Sequence, residues 1–147
     1  MANHLHRQIR EALETALGGL ATTAANVFAN RLAVIPEGKL PALRIYADSE
    51  SAEALTVHQP QMLERRLDVS VECCAKAASN LDDSLDQISK EVEIALAAGI
   101  TVAGHALQVF YTGMEFDDHL GDKPLGVKRL RFSIPYTAMS NAPDTLS

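Results

Sequence analysis

The segment Arg65 to Lys76 constrains the fold more than any other part of this chain. Leu67, Val69, Val71, Cys73 and Ala75 alternate with Arg66, Asp68, Ser70, Glu72, Cys74 and Lys76. Strict period-two alternation specifies a β-strand with one buried face. Counted from Glu64 to Ala77, such a strand spans about 46 Å at roughly 3.3 Å per residue. The helix predicted next, Asn80 to Ala98, is only about 28 Å long at 1.5 Å per residue. It cannot cover its neighbour. The strand therefore reaches past its own domain or bends at a bulge.

That helix carries Leu81, Leu85, Ile88, Val92, Ala95 and Leu96 on one face. Ser79 or Asn80 can cap it, Asp82, Asp83 and Asp86 favour its N-terminal end, and Gly99 stops it. An earlier helix, His4 to Leu17, ends at Gly18-Gly19, and Leu5, Ile9, Ala12, Leu13, Ala16 and Leu20 fall at helical spacing on one apolar face. Between the two helices, strands are predicted at Asn26–Arg31 and Ala42–Ala47, separated by the turn Pro36-Glu37-Gly38-Lys39. The acidic, Ser-rich stretch Asp48–Gln61 reads as an exposed loop. Two strands, Ala106–Phe116 and Leu125–Tyr136, form a hairpin about the turn Asp117–Pro124. Residues 138–147 are small and polar and read as a frayed tail.

The expected architecture is α+β, with one mixed or antiparallel sheet of about five strands and two helices packed on one face. The 147 residues suit a single domain spanning 1–147. A chain of this length buries roughly 68–70% of its unfolded surface, so it needs neither disulfide nor metal.

Composition removes several functions. The net charge is −6, aromatics are 5% and Trp is absent. This argues against nucleic acid as the main partner. No run of about 20 apolar residues could span a bilayer, and the N-terminus lacks the apolar core of a secretion signal. Cys73 and Cys74 are adjacent and would point to opposite strand faces, which excludes a mutual disulfide and fits a reducing cytosol.

No catalytic, cofactor or metal site is expected. Asp117, Asp118, His119 and Asp122 crowd one turn, but they miss the calcium-loop spacing and read as a solvated turn. The cysteines lack the second pair of a zinc site. The glycines fit no phosphate loop, and there is no Gly-x-Ser-x-Gly elbow. The charges are more informative as surfaces. Basic Arg65, Arg66, Arg129 and Arg131 face acidic Asp48, Glu50, Glu53, Asp117 and Asp118 as candidate subunit contacts. The plainer reading of that split is a solvated surface. Heterologous contacts between copies close into rings when the rotation allows.

Taken in order, several segments resemble the tail terminator proteins, or minor tail proteins, of long-tailed bacteriophages and prophages. They are Ile9–Leu13, Val27–Arg31, Leu40–Tyr46, Glu64–Glu72, Asn80–Asp86, Glu91–Glu93 and Gly121–Leu130, followed by Phe132 and Tyr136. The resemblance implies a structural virion protein without enzyme activity. It implies a homohexameric ring that caps the tail tube, ends its polymerisation and offers the surface that joins tail to head. Its partners would be itself, the tail tube protein and a head-completion or connector protein. Its place would be the head-proximal end of the tail, after assembly in the host cytoplasm. The alternatives are another head–tail joining or neck protein and, further away, a cytosolic small-ligand-binding domain with a deep polar pocket.

Overall fold

The alternation and the two apolar helix faces resolve into two helices on one side of a five-stranded mixed sheet. A computed structural model describes residues 2–29, 35, 37–76, 80–119 and 125–147, with the side chains of 117–119 and 125 outside that description. The elements are α1 (Leu5–Leu17), β1 (Val27–Phe28), β2 (Ala42–Ala54), β3 (Met62–Lys76), α2 (Leu81–Leu96), β4 (Ile100–Val102), β5 (His105–Leu107), β6 (Phe110–His119) and β7 (Leu125–Met139). The sheet order is β1-β2-β3-β7-β6, and β4-β5 form a separate ribbon. Only β1 runs parallel to its neighbour; the other pairs are antiparallel.

The core follows from side-chain spacing. Leu5, Ile9, Leu13 and Leu17 recur every fourth residue on α1 and are fully buried. Leu85, Ile88, Val92 and Leu96, spaced three or four apart, are buried in the same way on α2. Both stripes meet Leu67, Val69, Val71, Cys73, Leu130, Phe132 and Ile134 of the sheet in one cluster. The negative first turn of α2 holds Asp82 and Asp83 as expected, but Asn80 caps with no side-chain hydrogen bond. Ser79 lies outside the described residues.

The structure departs from the sequence reading in six places. Asp48–Gln61 is not one loop: β2 continues to Ala54, and its residues 49–54 pair with Leu63–Asp68 of β3. Cross-strand hydrogen bonding outweighs the poor β-propensity of its Ser and acidic residues. Among the described residues the first strand is Val27–Phe28, starting after Asn26, and the Asn30–Arg31 end of that prediction lies outside the described residues. The strand expected at Ala106–Phe116 is broken into β5 and β6. β6 then runs on to His119, into the segment read as a turn, whose 120–124 portion is outside the description. β4 was not foreseen. Ala103 and Gly104 both have positive φ at its turn with β5, as a two-residue hairpin loop of this hand requires. Finally, the tail is tied down. Leu5 N–H donates to Pro143 O, Ser147 N–H donates to Thr137 O, and Leu146 packs on the core.

The long strand is accommodated by company rather than by bending. β3 pairs with β7 from Met62↔Met139 to Lys76↔Leu125 without a register shift. The bulges sit instead in its neighbours, between Ala47 and Ser49 in β2 and between Tyr111 and Gly113 in β6. What overhangs is the distal end of the β2–β3 hairpin, whose tip, residues 51–60, is exposed.

Gly99 closes α2 at φ +82°, and a Cβ there would stand 2.4 Å from the Leu107 carbonyl oxygen. Backbone cannot step aside as a side-chain end can. Gly99→Ala is therefore expected to lower unfolding free energy by about 1–3 kcal/mol, read as an earlier urea midpoint with an unchanged slope.

Candidate interaction surface

The sheet face away from the helices was expected to be solvated. Yet Ser70, Glu72 and Cys74 are buried there. The register explains it. Arg44, Glu72, Arg129 and Glu115 are direct cross-strand partners on β2, β3, β7 and β6. Charges alternate across four strands, and neighbouring side chains cover one another. Glu72 accepts from Arg44 on one side. On the other it meets Arg129 Nη2 at 2.9 Å. Arg129 Nη1 reaches Glu115 at 2.8 Å, and Arg131 binds the same carboxylate oxygen. The carboxylates around Arg129 raise its pKa further despite partial burial. Hydrogen bonds from Arg129, with the charge of Arg131, hold Glu115 below its ordinary value.

A second cluster lies on the helix side of the hairpin base. The β2 bulge inverts side-chain parity, so Glu50 stands opposite Leu67 on the helix side of the sheet. It accepts from Arg65 at 2.7 and 2.9 Å, from Tyr136 Oη, and lies 2.9 Å from His6 Nε2. Burial alone would raise the Glu50 carboxyl; the bonds from Arg65, Tyr136 and His6 outweigh it and hold the pKa low. The cluster thereby fastens the start of α1 to β2, β3 and β7.

The predicted interface residues divide between these clusters and the rim. Arg65 pairs with Glu50 within one chain. Arg129 and Arg131 meet Glu115. Arg66, exposed, sits 3.9 Å from the half-buried Glu64. Asp48 accepts from Ser70 Oγ. Glu53 is exposed and stands directly opposite Glu64. Asp117 and Asp118 fall on β6 at the far edge, and their side chains lie outside the description. Sequence reasoning missed His6, Arg44, Glu72, Glu115 and Tyr136. Only the alternation around Glu72 gave any signal. Its partners depend on strand register.

The chemistry available is modest. Burial pushes the thiols of Cys73 and Cys74 up to about 12, so both stay neutral and unreactive. An open cleft of about 350 Å³ is bounded by Leu107, Pro135, Tyr136 and Leu146 and carries Glu64 and His105. Among the described residues, no three His, Cys, Asp or Glu side chains gather to hold a metal ion. No helix of the described residues is long and apolar enough to cross a membrane.

The surface offers pairing groups instead. Among the described residues, β7 is the only strand beside β6. β6 also exposes Phe110, Tyr111, Met114 and Phe116. At the opposite edge of the sheet, among the described residues, the two residues of β1 pair along Leu43 and Arg44, and residues 51–54 farther along β2 are exposed. Exposed strand edges such as β6 and residues 51–54 of β2 are built for partners or at risk of aggregation.

The family model for phage minor tail protein U matches residues 4–136. The chain belongs to that family. Membership makes it a phage-type minor tail protein and accords with the α+β fold. Solved structures share that fold. A chain in the virion of a native gene transfer agent particle superposes with a TM-score of 0.62 at 15% identity, over 88% of this chain and 95% of that one. A second solved chain gives a TM-score of 0.59 at 19% identity, over 88% of this chain and 93% of the other. No curated protein matches significantly.

Two outcomes test the clusters. Glu72→Ala leaves two guanidinium groups around a buried gap and should cost about 3–5 kcal/mol, measured by chemical denaturation at neutral pH. Glu50 has a folded pKa below its unfolded one. Its contribution is therefore complete above the unfolded value and is lost as pH falls through the folded one. Glu50→Gln should lower the melting temperature at pH 7, and the gap from wild type should narrow as pH falls below the ordinary carboxylate range.

Proposed function

We propose that this minor tail protein is the tail terminator. Copies form a ring on the finished tube, block further tube addition and present the head-binding surface. The carrying observation is a sheet with an exposed apolar edge strand, β6, on one side and the exposed residues 51–54 of β2 on the other, with an exposed hairpin tip at one end. A subunit of this shape can bind copies of itself side by side through the edges. It can also bind a different partner along the ring axis through the tip. Opposite edges give a heterologous contact, which closes into a ring when the rotation allows and does not give a two-fold dimer. The family membership supports a structural place in the virion. The role needs no enzyme activity. In this reading the partners are other copies of the chain, the tail tube protein and a head-completion or connector protein. The protein sits at the head-proximal end of the tail after assembly in the host cytoplasm. Ring size six is the reading taken from the resemblance.

The deciding experiment removes the gene and images the particles. Tails longer than wild type are expected, unattached to heads. Tails of normal length that fail to join heads would replace the terminator reading with a head–tail joining role.

A further inference from the structure

The β6 strand concentrates apolar surface in a way the monomer does not use. The chain has only four Phe, three Tyr and no Trp. Phe110, Tyr111 and Phe116 lie on this one edge strand and are 46–48% exposed, with Met114 at 43%. Register puts Tyr111, Met114 and Phe116 on the helix side, opposite Phe132, Leu130 and Lys128. α2 packs over β3 and β7 and leaves them uncovered. The strand carries no Lys, Arg or Pro to discourage pairing.

The distal part of β2 has the complementary form. On the helix side, Ala52 and Ala54 stand opposite Arg65 and Leu63. Both are exposed and small, and Leu55, 49% exposed, follows them. Residues 45–61 include Asp48, Glu50 and Glu53 and no Lys or Arg. Beside β6, the side chain of Arg131 is 54% exposed and shares Glu115 with Arg129. Its cross-strand neighbour is Gly113, which has no side chain to cover it.

We infer that the β6 edge of one copy pairs with the Ser49–Ala54 edge of the next, extending one sheet from subunit to subunit. This rests on the ring reading and names its contact. Rotation about a ring axis keeps the helix side of each sheet on the same side. Tyr111, Met114 and Phe116 then lie over the small Ala52 and Ala54. Glu53 arrives on the other face, where Arg131 is uncovered. Large side chains meet small ones and an acid meets a cation. Main-chain hydrogen bonds supply the affinity, and the side chains supply the register.

Disulfide trapping in the full chain tests the pairing, because Cys73 and Cys74 are buried. Ala52→Cys and Met114→Cys chains are purified separately, mixed and mildly oxidised. The mixture should yield a cross-linked dimer at least tenfold above either variant alone. Met114→Glu with Phe116→Glu should leave circular dichroism and melting intact and shift light scattering from oligomer to monomer. An oligomeric wild type whose mixed cysteines do not link overturns the pairing and leaves the ring standing. Self-linking of Met114→Cys alone also overturns it, by revealing a two-fold β6 contact. A wild type that is monomeric at high concentration and moderate salt overturns both the ring and the pairing.

Discussion

The unbroken register between β3 and β7 is the constraint on which the rest of this structure depends. A one-residue slip would move every side chain of β3 to the wrong face. Val69, Val71 and Cys73 would leave the helices, and Glu72 would be driven into the apolar core. The same register lines Glu72 up with Arg129 and, through β2, with Arg44. Hydrophobic burial on one face and charge pairing on the other therefore demand the same alignment. Either mismatch alone would be costly, since an unpaired buried carboxylate is as unfavourable as exposed core.

The bulges lie where that constraint relaxes. β3 and β7 hold straight, so the neighbouring strands absorb the irregularity. The β2 bulge turns Glu50 toward α1 and creates the cluster with His6, Arg65 and Tyr136. The β6 bulge precedes Gly113 and leaves the side chain of Arg131, bound to Glu115, more than half exposed. Beyond the helices, the hairpin holds its shape through backbone pairing with little burial, which suits a segment meant to meet a partner.

Much of the architecture was legible in particular residues. Leu5, Ile9 and Leu13 declared α1; Leu85, Ile88 and Val92 declared α2; Leu67 through Ala75 declared the central strand. These signals are local, because helix and strand periods are written in neighbouring positions. The boundaries that failed were those set by non-local pairing. Ser49–Ala54 has the composition of a loop and becomes strand because β3 lies beside it. The tail is polar and becomes ordered because Thr137 and α1 offer it hydrogen-bond partners.

The candidate surface was half visible for the same reason. Sequence alone determined which residues carry charge, that they cluster by sign, that one strand is long and that two helices cover one face. It also carried the ordered pattern of the minor tail family, now matched over residues 4–136. Only the tertiary structure decided the partners. Arg65 is spent on Glu50 and Arg129 on Glu72 and Glu115 inside one chain, while Glu53 and the apolar side of β6 remain turned outward. An ion pair between strands depends on register over gaps of up to 57 residues, and no local period encodes that distance.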